Sequence, residues 1–197
     1  MIGYLPDTLT VGSEEYPIRT DYRDVLQVYE VFNDPELEKG EAWIVAIYLM
    51  FKDFACADDV YAAAADGFDV QEAVEQISWF LAGGQNRKKD TEKPVFNWQQ
   101  DEQMIFAAVN AVAGREVREA EYIHWWTLTG YMSEIGEDTW TYIVGIRDKL
   151  NRGRKLTDQE REYYKRNRDL VDIQKPKSKE ELRKEAEYAA YLEKYLG

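Results

Sequence analysis

The chain contains one cysteine, Cys56, and one histidine, His124. A lone cysteine excludes an internal disulfide, and the pair is too few for a Cys/His zinc cluster, so a reducing compartment is the expected home. Long apolar runs are also missing. The longest, residues 42–51, is far below the roughly 18 residues of a membrane-span candidate. The opening MIGYLPDTLTVG has neither a basic start nor a continuous apolar core, so no secretory leader is expected there. No solenoid-period repeat or low-complexity segment occurs, and neither an EF-hand loop nor a Walker phosphate loop fits any stretch. Positive charge is scarce as well. A formal net charge of −13 argues against general nucleic-acid affinity, which needs a basic surface to release counterions from phosphates.

What the chain does have is apolar and aromatic content, at 45% and 14% of its 197 residues. That is enough to bury a core, and the length suits one domain with an appendage. Charge is unevenly placed. Residues 1–143 hold 10 Lys+Arg against 27 Asp+Glu, whereas residues 144–197 hold 15 against 11. An acidic body with a mildly basic tail fits a protein that recognises basic or amphipathic partners, and equally one that merely stays soluble.

The pattern predicts a mainly α multi-helix domain over residues 1–172, with a short N-terminal β-hairpin, then a linker and C-terminal helix over 173–197. Leu9, Val11, Tyr16 and Ile18 flank Gly12-Ser13 as a hairpin would require. Thr20 or Asp21 caps a first helix reaching about Phe32. Asp34-Pro35-Glu36 reads as the start of a second, nearly all-apolar helix through Trp43, Ile44, Ile47 and Phe51. An alanine-rich helix over 58–65 follows, and Asp69 to Glu72 resembles a capping box opening another that Gly83-Gly84 closes. The polar run QNRKKDTEKP at 85–94 reads as an exposed loop. Beyond it, Phe96 and Trp98 anchor a helix stopped by Gly114.

Residues 121–147, EYIHWWTLTGYMSEIGEDTW followed by TYIVGIR, concentrate aromatics in two apolar stretches. Val117, Ala120, His124, Leu128, Tyr131 and Ile135 fall at helical spacing, which predicts one helix through His124 with Gly136 as its C-cap. A second starts near Asp138. Thr157 to Glu160 and Ser178 to Glu181 read as two further capping boxes, the latter opening a terminal helix with Leu182, Ala186, Ala189 and Leu192 in line.

Few residues invite chemistry. His124 lies between Ile123 and Trp125 and reads as a core histidine rather than a general base. The acidic pairs Asp58-Asp59, Asp101-Glu102 and Glu137-Asp138 fall where helices start, and the helix dipole accounts for them without a ligand. The basic run 147–168, with Tyr163 and Tyr164, has the composition of a nucleic-acid face, but its interspersed acids favour a solvated helix. No catalytic, cofactor-binding or metal-binding residue is assigned.

Six motifs occur together in order: IGYLP, YPIRTDYRD, FNDPEL, WQQDEQMIFAAVNAVAGREVR, EYIHWWTLTGYMSEIGEDTW and IRDKLNRGRKL. Over about residues 1–172 the chain resembles the bacteriophage gene-product-fifteen family of Gram-positive tailed phages and prophages. The resemblance implies a gene among those of tail morphogenesis, and hence a noncatalytic tail assembly chaperone in the host cytoplasm. Its implied partners are the tape-measure protein and the tail tube protein, with no membrane, no nucleic acid and self-association open. A structural tail-completion or adaptor subunit of the virion is the alternative. The exposed members of Trp125, Trp126, Tyr131, Trp140 and Tyr142, together with Leu182, Tyr188 and Leu192 on the terminal helix, are the candidate partner contacts.

Overall fold

In the computed structural model, which describes residues 3–85, 93–174 and 176–196, the hairpin pairs β1 (Thr8–Val11) with β2 (Glu14–Pro17) in antiparallel register, Leu9 opposite Tyr16. A two-stranded ribbon cannot hold itself together in water. Here Leu9 and Val11 are buried beneath α4 (Val70–Leu81), and the turn is tied to that helix by the Gly12 N–H, which donates to Glu72 Oε2 at 2.7 Å. Glu72 therefore does not turn back to complete the expected capping box. Asp69 alone caps α4, accepting from Glu72 N–H.

Helix α1 (Tyr22–Phe32) is capped by Asp21, as expected, and buries Tyr22, Val25 and Val28. The next helix starts later than the sequence indicated. Asp34 accepts the Glu36 N–H in a local turn, and α2 (Lys39–Met50) opens on a reciprocal Glu38/Glu41 box. The side chain of Asp34 satisfies its own turn, so Pro35 marks the approach to the helix rather than its first position. Ala46, Ile47 and Met50 of α2 have no exposed surface, each large side chain contributing roughly 1.5–3 kcal/mol. Helix α3 (Ala57–Ala65) leads to α4, and α5 (Trp98–Ala113) ends on Gly114, whose φ of 67° supplies the left-handed cap.

The run through His124 departs further from the expected continuous helix. Val117–Glu119 is a single 3₁₀ turn, the chain then extends, and α6 (Trp125–Ser133) begins only after His124, which is its N-cap. The reason is tertiary: Asp21 takes the Ile123 N–H, the Tyr22 N–H donates to Ile123 O, and the Trp125 N–H donates to Thr20 O. Those bonds hold residues 120–124 extended against the start of α1. Helix α6 closes at Glu134 rather than at Gly136. Asp138 opens α7 (Thr139–Asn151) with a box to Thr141.

Helices α8 (Asp158–Arg166) and α9 (Arg168–Val171) form a small second cluster, in which Val171 meets Ile143 and Ile146 of α7. Arg147 locks it to the body. Its side chain is 3% exposed and that of Asp101 0%. Nε donates to Val171 O, Nη1 to Val95 O and Asp101 Oδ2, and Nη2 to Asp101 Oδ1 and Leu170 O, so all five donors are satisfied. Asp101 is thus more than a dipole-favoured acid. Arg147, first in the basic run, does not belong to a solvated face. Helix α10 (Lys179–Leu196) ends the chain, opened by the expected Ser178/Glu181 box. The loop expected over 85–94 falls on residues 86–92, outside the described residues.

Replacing Arg147 with Met leaves a buried carboxylate unpaired and is expected to cost about 3–5 kcal/mol. Urea unfolding followed by circular dichroism measures it. A loss below about 1 kcal/mol would show that water reaches Asp101.

Candidate functional site

The expected contact residues sort into three environments. Trp125 is 2% exposed and its indole N–H donates to Leu81 O at 3.1 Å, while half-buried Trp126 donates to Phe80 O at 2.8 Å. These carbonyls lie in the last turn of α4, where a helix leaves acceptors without intrahelical donors. Two consecutive indoles therefore cap α4 from the side and fix α6 against it. Gly84 permits the approach. It has φ of 78°, and a Cβ there would sit 2.7 Å from Trp126 Cη2.

Between α1, α4, α5 and α6 lies an open cleft of about 430 Å³ lined by Tyr29, Phe96, Trp98, Trp125, Trp126 and Met132 among others. Trp98 and Trp125 meet at 5.9 Å and Phe96 stands edge-on to Trp98 at 5.5 Å. The sequence pointed to Trp125 and Trp126 but not to Tyr29, nor to Phe96 and Trp98 as more than anchors. The available signal was the aromatic pair bracketing the Asn97 cap.

The other expected contacts are elsewhere. Tyr131 is half-buried on the main core, and Trp140 is 7% exposed, packed on Phe96 with its indole N–H unpartnered. Tyr142 is exposed and stands edge-on to Tyr163 of α8 at 5.1 Å. On α10, Leu182 and Tyr188 are exposed, at 53% and 63%. The backbone of Leu192 continues the helix, but its side chain lies outside the described residues.

His124 is engaged at both ring nitrogens: Nδ1 accepts the Trp126 N–H at 3.0 Å, which assigns the proton to Nε2, donating to Pro6 O at 3.0 Å. Both bonds are to backbone, so the ring positions the chain rather than a reactant. Among the described residues no cluster of three or more His, Cys, Asp or Glu is placed to hold a metal ion, and no helix is long and apolar enough to cross a membrane.

One carboxylate stands out electrostatically. Glu116 accepts from the side chain and N–H of Arg118 and from Asn110 Nδ2, while Asn110 Oδ1 takes the Val117 N–H. The hydrogen bonds from Arg118 come first among the causes that hold its carboxyl down to about 2. That knot secures the corner between α5 and the extended segment leading to α6.

A sequence-family model described as Bacteriophage Gp15 protein matches residues 1–173. No curated protein and no solved structure matches the chain.

Two outcomes follow from this geometry. Gly84→Ala is expected to destabilise the fold by about 1–3 kcal/mol through φ strain and collision with Trp126, shifting tryptophan emission to the red; an unchanged melt would mean that Trp126 moves freely. Glu116 has a depressed folded-state pKa, so its contribution is present above pH 4.5 and fades as pH falls toward 2. The stability gap between wild type and Glu116→Gln should accordingly shrink across that window in thermal melts, and a gap constant with pH would remove Glu116 from the account.

Proposed function

The chain belongs to the bacteriophage Gp15 family, and from that premise we propose that it is a noncatalytic tail assembly chaperone, holding the phage tape-measure protein in the host cytoplasm until tail tube subunits polymerise around it. The observation that carries the reading is the family match over residues 1–173, joined to the tail-morphogenesis setting that the motif resemblance implies.

The chemistry of the surface supports it. A tape measure is a long amphipathic helical client whose apolar stripe needs cover before assembly. Half-buried Trp126 and Tyr131, exposed Tyr142, and exposed Leu182 and Tyr188 offer rings and aliphatic carbons at the surface. The acidic body keeps such a surface from binding nucleic acid while it waits. Many weak contacts along one client add through effective concentration, so no single deep pocket is required.

Co-expression of the tape measure with and without this chain tests the reading. The expected outcome is a soluble complex that depends on the chain, loss of tails when the gene is deleted, and absence of the chain from purified virions. An insoluble tape measure in both cases, with normal tails in the deletion, refutes it. Stoichiometric recovery of the chain from finished particles by mass spectrometry would assign it instead to the tail structure, as a completion or adaptor subunit.

A further inference from the structure

The hairpin has one occupied edge and one open edge. The Ile18 N–H donates to Asp7 O at 2.9 Å, which fixes the phase of the ladder: Leu9 with Tyr16, and Val11 with Glu14, exchange the bonds between the strands. The N–H and C=O of Thr8 and Thr10 therefore point away from β2. On the far side of β2, Pro17 O accepts the Lys52 N–H and the Arg19 N–H donates to Met50 O, so that edge is taken. Among the described residues nothing bonds the outward backbone groups of Thr8 and Thr10. A backbone N–H without a protein acceptor faces water in a stable fold, and Thr10 is exposed. The strand from Thr8 to Val11 also lacks the usual guards of an edge, having no lysine, no proline and no bulge.

Acids stand at both ends of this edge. Side chains two apart share a face of a strand, so Asp7, Leu9 and Val11 fall in line. Asp7 is exposed, and its carboxylate has no partner among the described residues. Just beyond Val11, Glu72 holds the Gly12 N–H through Oε2, and among the described residues its Oε1 is free.

We propose that β1 takes an extended segment of another protein as a third, antiparallel strand, one whose side chains alternate basic, apolar and basic on a single face. Two residues of such a strand, those facing Thr8 and Thr10, complete all four backbone bonds. The apolar side chain then lies opposite Leu9. One basic side chain faces Asp7, and the other faces Val11 beside Glu72, where opposite charges across a ladder are favourable. A second copy of this chain is the poorer occupant. Pairing β1 with its own mate about Leu9 sets Asp7 of one copy opposite Val11 of the other, acid beside Glu72 at both ends, between chains that each carry −13. The proposal rests on the hairpin and is independent of the chaperone reading, whose client is helical.

The test uses isotope-labelled full-length chain and the probe peptide acetyl-Lys-Thr-Val-Thr-Lys-amide, followed by nuclear magnetic resonance. Titration is expected to shift the Thr8 and Thr10 amides and slow their hydrogen exchange, with a dissociation constant of about 1 mM or below. The same peptide with glutamate for both lysines, or N-methylated at both threonines, should bind at least about tenfold more weakly. Asp7→Lys should weaken the lysine peptide and strengthen the glutamate one, with a thermal melt to show that the fold is kept. Unshifted Thr8 and Thr10 amides at about 5 mM peptide, or equal binding of the acidic or N-methylated peptide, overturns the proposal. So do Thr8 and Thr10 amides already protected in the free chain: at 23.1 kDa the edge would be closed by the chain itself, and at twice that mass by a second copy.

Discussion

A guanidinium stripped of water is tolerated only when every N–H finds an acceptor, and Arg147 meets that condition by drawing four parts of the chain together. Asp101 belongs to α5, Val95 to the segment entering α5, Leu170 and Val171 to α9, and Arg147 itself to α7. Remove the carboxylate and the carbonyls alone would not justify burying the charge. Remove the charge and the end of α9 loses its strongest tie to α5. The place where the tail leaves the body follows from this pair, because the Gln100 side-chain amide next to Asp101 also donates to the carbonyls of Asp169, Leu170 and Asp172.

Much of the fold was legible because helix ends are written locally. Asp21, Asp138, Thr157 and Ser178 each carry an oxygen that satisfies a nearby backbone N–H, and Gly114 supplies the one conformation that closes α5. The readings that failed are those where a distant group outbid the local one. Glu72 had a partner three residues away in principle and a hairpin N–H sixty residues away in fact. His124 sat in a helical pattern, but Thr20, Asp21 and Tyr22 claimed the backbone around it. Nothing in the run beginning at Arg147 marks that residue as buried, since its partner is a carboxylate 46 residues upstream.

The same division applies to the candidate contacts. Tryptophan is amphipathic, so its presence signals an anchor without saying whether the anchor faces inward or outward. In residues 125–126 the backbone carbonyls at the end of α4 settle the matter, because each indole N–H has an acceptor there and the rings must lie against the helix that supplies it. Leu182 and Tyr188 are exposed, and amphipathic spacing leaves their face open. Family membership ties the protein to bacteriophages.

The clasp between residues 20–22 and 123–125 sets an order of events during synthesis. Helix α1 is among the first segments to leave the ribosome, yet Asp21 and the Tyr22 N–H gain their long-range partner only when Ile123 has emerged, about a hundred residues later. The hairpin waits as well, for α4 and its Glu72. Contacts of such long sequence separation form late and slowly. The α1–α2 pair can pack on itself early, but the N-terminal third is closed only once more than half of the polypeptide is available.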